Sequence, residues 1–238
     1  MPDNEVKLDV RVYPIDEPKG STVAFASVGI DLLLAIRGVR VVSGENGFFV
    51  AMPQSKDKDG GYHDIAFPLT AGLRRDITDA VLDEFDAITS IPREDRVYEA
   101  RDMSAVNERS ADDVKLDVRV YPFAGQDSST KAYASVGIGG LAAIRGLRVV
   151  EGEKGLFVAM PQSKDSEGAY HDVAFPLSGS LRKGIEREVL DGYAAAGLEA
   201  SRKLSIGDGL REGAAKAAEY AATSRAAPAR AYSAGVLE

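Results

Sequence analysis

Residues 49–57, FVAMPQSKD, return unchanged at 157–165, and this return constrains the chain more than any other feature. Residues 6–85 align with 114–193 at a constant offset of 108, without a gap, and 51 of those 80 positions are identical. Segments this similar share one fold, so the chain describes one small domain made twice. The period exceeds that of solenoid repeats, which run roughly 20–50 residues, and two copies are too few for one. The chain is expected to divide into a first domain at 1–88, a charged linker at 89–112, a second domain at 113–196 and an Ala-rich tail at 197–238. A domain of that size buries only a modest core. Pairing the copies, or dimerising the chain, would add buried area.

Within a copy, hydrophobic periodicity sets the order of elements. In VKLDVRVY (6–13) Val6, Leu8, Val10 and Val12 alternate with Lys7, Asp9, Arg11 and Tyr13, the pattern of a half-buried strand ended by Pro14. A second strand is expected at 22–30 and a third at about 33–43, joined by a tight turn at Asp31-Leu32. Copy two has Gly139-Gly140 there, a direct hairpin signal. FFVAMP (48–53) is wholly apolar and reads as a central strand buried on both faces, and 62–67 as a short edge strand stopped by Pro68. Thr70 and Ser178 are plausible N-caps for a helix whose apolar stripe is Leu73, Ile77, Val81, Leu82 and Phe85. Copy two repeats it with Leu181, Ile185, Val189, Leu190 and Tyr193. Strands followed by one helix define an α+β unit: a small antiparallel β-sheet with a C-terminal helix packed on one face. Residues 208–224 could add a weak helix.

Composition excludes several chemistries. There is no cysteine, which removes disulfides and thiol catalysis. No apolar run approaches the roughly 20 residues of a membrane span, and no signal-peptide pattern opens the chain, so it reads as soluble and cytoplasmic. The net charge of −8 argues against a generally basic nucleic-acid binder. That charge is uneven: residues 6–88 hold 9 basic and 13 acidic side chains (−4), residues 114–196 hold 10 and 10 (0). The second copy is the better candidate for a phosphate-facing surface.

Each candidate site has a plainer reading. His63 and His171 occupy one repeat position and lack the further ligands a metal site needs, so a surface histidine bonded to its neighbouring loop is favoured. Asp57, Asp59 and Gly60 lack the remaining positions of a calcium loop, and a plain hairpin turn is favoured. No dinucleotide fingerprint, P-loop, nucleophile elbow or H-E-x-x-H is present, so no enzyme and no cofactor is expected. The basic residues are more informative. Arg37, Arg40, Lys56 and Arg74 recur as Arg145, Arg148, Lys164 and Arg182, and Arg75 recurs as Lys183. Basic residues in a first helical turn oppose the helix dipole, which hints at an anionic partner there. The alternative is a solvated surface with local pairs to Asp76 and Asp79.

The core GxFVAMP, followed by YHDIAFPL and the amphipathic LRRDITDAVLDEF, resembles the SpoVG family, and it does so twice. The resemblance implies a bacterial protein whose sheets join by strand exchange in a dimer, acting as a site-specific nucleic-acid-binding regulator linked to septation, sporulation, cell division and control of expression. The family usually has two basic residues after AMP; here Ser55 and Lys56 stand there, and Ser163 and Lys164 in copy two. With both copies in one chain, the expectation is an intramolecular pseudo-dimer, further homodimerisation staying open. The expected partner is nucleic acid, DNA rather than RNA, contacted by Lys56, Arg74, Arg75, Lys164, Arg182 and Lys183. The competing expectation is a protein-interaction scaffold that has lost nucleic-acid binding.

Overall fold

The computed structural model describes residues 6–57, 59–98, 113–122, 128–165 and 167–197. Copy one runs β1 (Leu8–Pro14), β2 (Thr22–Ile30), β3 (Leu34–Gly44), β4 (Gly47–Ala51), β5 (Gln54–Lys56), β6 (Tyr62–Asp64), β7 (Ala66–Pro68) and α1 (Ala71–Thr89). Copy two repeats the order as β8 (Leu116–Pro122), β9 (Thr130–Ile138), β10 (Ala142–Gly152), β11 (Gly155–Ala159), β12 (Gln162–Lys164), β13 (Tyr170–Asp172), β14 (Ala174–Pro176) and α2 (179–197). A 3-10 turn, Arg93–Asp95, follows α1. The expected helix at 208–224 lies outside the described residues.

Met1–Ala194 form one compact unit. Its centre is a reciprocal strand exchange. β7 of copy one pairs antiparallel with β10 of copy two, Ala66 opposite Ile144. β14 of copy two pairs with β3 of copy one, Ala174 opposite Ile36. Further backbone bonds continue each junction: Arg37 N–H donates to Val173 O (2.7 Å) and Arg145 N–H to Ile65 O (2.7 Å). Each of the two large sheets therefore has five strands, four from one copy and one from the other. The two halves share one hydrophobic cluster, with Ile36, Ile77, Ile144 and Ile185 at 0 % exposure. The two copies pair within one chain.

The helices form where the apolar stripe predicts, and their caps are explicit. Leu73 N–H donates to Thr70 Oγ1 and Leu181 N–H to Ser178 Oγ, each at 3.1 Å. Leu73, Ile77, Val81 and Phe85 are buried, and Ile88 extends the stripe. α1 lies mainly along β1 and also touches β2, β4 and β7.

FFVAMP departs from expectation. Among the described residues β4 pairs only with β3, which places it at a sheet edge. Phe48 and Phe49 are 48 % and 51 % exposed. The run is apolar because Phe48 meets the ring of Phe85 edge-on (centroids 5.1 Å apart), while Met52, just past the strand, reaches the core. The strand at 62–67 also divides. Its first half makes a two-stranded hairpin with β5, and its second half is the exchanged β7.

Candidate nucleic-acid interface

β5 and β6 form a short polar hairpin whose turn is organised by one carboxylate. Asp57 Oδ1 accepts from the N–H of Asp59 (3.0 Å) and of Gly61 (2.6 Å), and Oδ2 lies 2.7 Å from His63 Nε2. Asp165 repeats this with Glu167, Ala169 and His171. The histidine bond, aided by the two backbone N–H groups, holds both carboxyls below their ordinary value against the opposing effect of desolvation. Asp57 is thus the cap of a turn, and His63 its partner.

Asp64 has another role. It accepts from Gln54 Nε2 (3.0 Å) and from Arg74 Nη2 (3.3 Å), tying the hairpin to the start of α1. In copy two Gln162 donates to Asp172 at 3.0 Å and Arg182 lies 3.7 Å from it. The basic residue at the helix start turns to the hairpin carboxylate, not to Asp76 or Asp79. A helix-end N–H that could have held an anion is already taken by the Thr70 or Ser178 hydroxyl. Arg75 and Lys183 are exposed. Lys56 and Lys164 lie over the exposed rings of Tyr62 and Tyr170, at 5.8 and 5.9 Å from the centroids.

The strand exchange adds what the spacing could not show. A groove of ≈ 390 Å³ is lined by Arg37, Arg40 and Tyr62 of copy one and by Lys164, His171 and Asp172 of copy two, among others. Arg37 also packs over the Phe175 ring of the exchanged strand (4.8 Å), as Arg145 does over Phe67 (4.6 Å). The groove's carboxylates are occupied, Asp165 by its turn and His171, Asp172 by Gln162 and Arg182. Among the described residues, Arg37, Arg40 and Lys164 have no carboxylate partner. Arg37 and Arg40 are 108 residues from their own repeats, and that recurrence was the only trace of them in the sequence. Among the described residues, no helix is long and apolar enough to cross a membrane.

These features define a tandem α+β protein, closed on itself by strand exchange, with a cationic groove where its two copies meet. The SpoVG family model matches twice, at residues 6–87 and 114–195. The chain belongs to the SpoVG family. It is similar to proteins provisionally named septation protein SpoVG. That of Myxococcus xanthus (strain DK1622) is 41 % identical over 78 residues, covering 33 % of this chain and 77 % of the relative. Those of Bacillus cereus (strain AH187) and Bacillus anthracis (strain A0248) are each 42 % identical over 77 residues, covering 32 % and 78 %. Each relative corresponds in length to one copy with a short extension.

Proposed function

We propose that this chain is a non-enzymatic nucleic-acid-binding regulator acting in septation or sporulation. The relatives' names supply septation, sporulation follows the family resemblance, and the chemistry rests on the groove. Its carrying observation is the convergence of Arg37 and Arg40 with Lys164, from different copies, beside carboxylates that are already engaged. A chain of net charge −8 cannot bind phosphate through its overall field, so it has to gather cations locally. Lys56, Arg74, Arg75, Lys164, Arg182 and Lys183 extend the cationic surface from the hairpins to the helix starts. Side chains of this kind neutralise phosphates and release counterions. DNA is the expected partner.

Fluorescence anisotropy of the full chain with labelled duplex DNA, titrated across salt, tests this. Micromolar or tighter binding that weakens steeply with salt is expected. Changing Arg182 and Lys183 together to Glu should abolish it, and so should changing Arg37 and Arg40 to Glu. Affinity unchanged in either variant removes that pair from the interface. Folded protein that binds no nucleic acid at low salt would shift the reading to a protein-interaction scaffold.

A further inference from the structure

The strand exchange is reciprocal, and reciprocity gives the paired copies a two-fold axis. Ala66 stands opposite Ile144 and Ala174 opposite Ile36, the same repeat positions with the copies interchanged. The backbone bonds from Arg37 to Val173 and from Arg145 to Ile65 are equal in length, at 2.7 Å. A contact in which residue i meets j and j meets i is the mark of two-fold symmetry. The groove that gathers Arg37, Arg40 and Lys164 therefore has a counterpart in Arg145, Arg148 and Lys56. Their surroundings agree pair by pair. Arg37 over Phe175 (4.8 Å) is matched by Arg145 over Phe67 (4.6 Å), and Lys164 over Tyr170 (5.9 Å) by Lys56 over Tyr62 (5.8 Å). Arg37, Arg145, Lys56 and Lys164 are exposed, and Arg40 and Arg148 half-buried.

The first groove reaches both Ile65 and Val173, one repeat position in its two copies. Rotation about the axis exchanges these two residues, so the counterpart reaches them as well. Rotation leaves height along the axis unchanged. The two sets of cations therefore adjoin and open on one side of the molecule.

Divergence between the copies sets this surface apart. The groove is lined from twelve repeat positions, and eleven hold the same residue in both copies, Ile65 and Val173 being the exception. Over the whole repeat only 51 of 80 positions agree. The helix, by contrast, has Thr78-Asp79-Ala80 in one copy and Glu186-Arg187-Glu188 in the other. Folding accounts for part of the retention: Gly38 and Gly146 are left-handed (φ 73° and 77°), and Asp57 and Asp165 cap their turns. It does not account for Arg40 and Arg148, which among the described residues have no carboxylate partner. Halves linked in one chain are free to differ, so cations kept in both grooves point to the same ligand group in both.

A nucleic-acid duplex has the matching symmetry. Its strands run antiparallel, so a two-fold axis perpendicular to the helix exchanges one backbone for the other. Phosphates of the two strands can then meet identical sets of cations. A single strand has a direction and no such axis, so it cannot present itself to both grooves in the same way.

We propose that the two grooves take the two strands of one duplex, the axis of the exchange lying on a dyad of the nucleic acid. This rests on the nucleic-acid reading above, and adds to it a second groove, the strand form and the orientation.

The full chain is titrated into a labelled DNA duplex and into each of its single strands, across salt. The duplex is expected to bind more tightly than either strand. Arg37→Ala with Arg40→Ala, and Arg145→Ala with Arg148→Ala, should cost equal affinity. Each pair should flatten the slope of log affinity against log salt by about two, and all four together by about four. Lys56→Ala and Lys164→Ala, on exposed hairpins away from the exchanged strands, should each flatten it by about one. Thermal melts check folding, and the Lys variants decide if the Arg variants unfold. Duplex binding in which the variants of one groove alone change affinity or slope overturns this inference and leaves the proposed function standing. So does single-strand binding as tight as that of the duplex. Binding to neither form overturns both readings.

Discussion

Asp57 and Asp165 show how one side chain can fix a loop. Each carboxylate takes two backbone N–H groups and a histidine, so the hairpin turn depends on its being ionised. The folded pKa lies below the ordinary value of 3.8, chiefly through the histidine bond. A group depressed in this way contributes stability that is present above its unfolded pKa and lost as pH falls through the folded one. The two turns should therefore loosen below about pH 3.8 while the shared core persists. NMR amide shifts of Gly61 and Ala169 check this: they should titrate with an apparent pKa below the ordinary carboxylate value. Asp57→Asn, which removes the charge, should loosen the copy-one turn at neutral pH and leave the other turn unaffected. Global stability should change little, because the site is exposed.

The two β-hairpin turns between the long strands compare one element in two chemical versions. Asp31 (φ 50°) and Leu32 (φ 56°) are both left-handed, as are Gly139 (φ 61°) and Gly140 (φ 70°). Leu33 N–H donates to Ile30 O at 2.9 Å, closing a two-residue loop of the kind that matches strand twist. An L-residue in that region is disfavoured by roughly 1–2 kcal/mol, and Asp tolerates it better than Leu. Leu32→Gly should therefore stabilise the chain by up to about 1 kcal/mol, after the extra entropy of an unfolded glycine is subtracted. Gly140→Leu should destabilise it by a similar amount. Urea midpoints at a constant m-value decide both. A reversed sign would mean that the Leu32 side chain makes packing gains exceeding the backbone cost.

The whole molecule depends on exchange. β3 needs a partner beside Leu34–Ile36, and β14 supplies it; β10 needs one beside 142–144, and β7 supplies it. Neither copy alone satisfies its own edge. A single copy, produced without the other, should form a homodimer by the same exchange, as size-exclusion chromatography with light scattering would show. A stable, well-folded monomer would contradict this. Linking both copies in one chain makes pairing of the halves intramolecular and so independent of protein concentration. It also permits the halves to diverge, as they do in net charge.

Local chemistry made much of this readable from residues alone. The repeat establishes one fold used twice, strand alternation assigns the buried face of β1, and Thr70 and Ser178 mark the helix starts. The turn residues mark the hairpins. All of these act over a few positions, where backbone geometry and side-chain period decide the outcome. The destination of AFP (66–68 and 174–176) was not readable, because its register beside Ile36 and beside Ile144 is equally good in sequence terms, and only the placement of the whole chain selects the other copy. FFVAMP misleads for a related reason. Its apolar residues serve a helix and the core from a sheet edge, and composition does not distinguish an edge from a centre. The groove follows from the exchange. Arg37 and Arg40 meet Lys164 only because a strand from each copy crosses to the other sheet, so the cations that converge there are distant in the chain and no spacing rule could have grouped them.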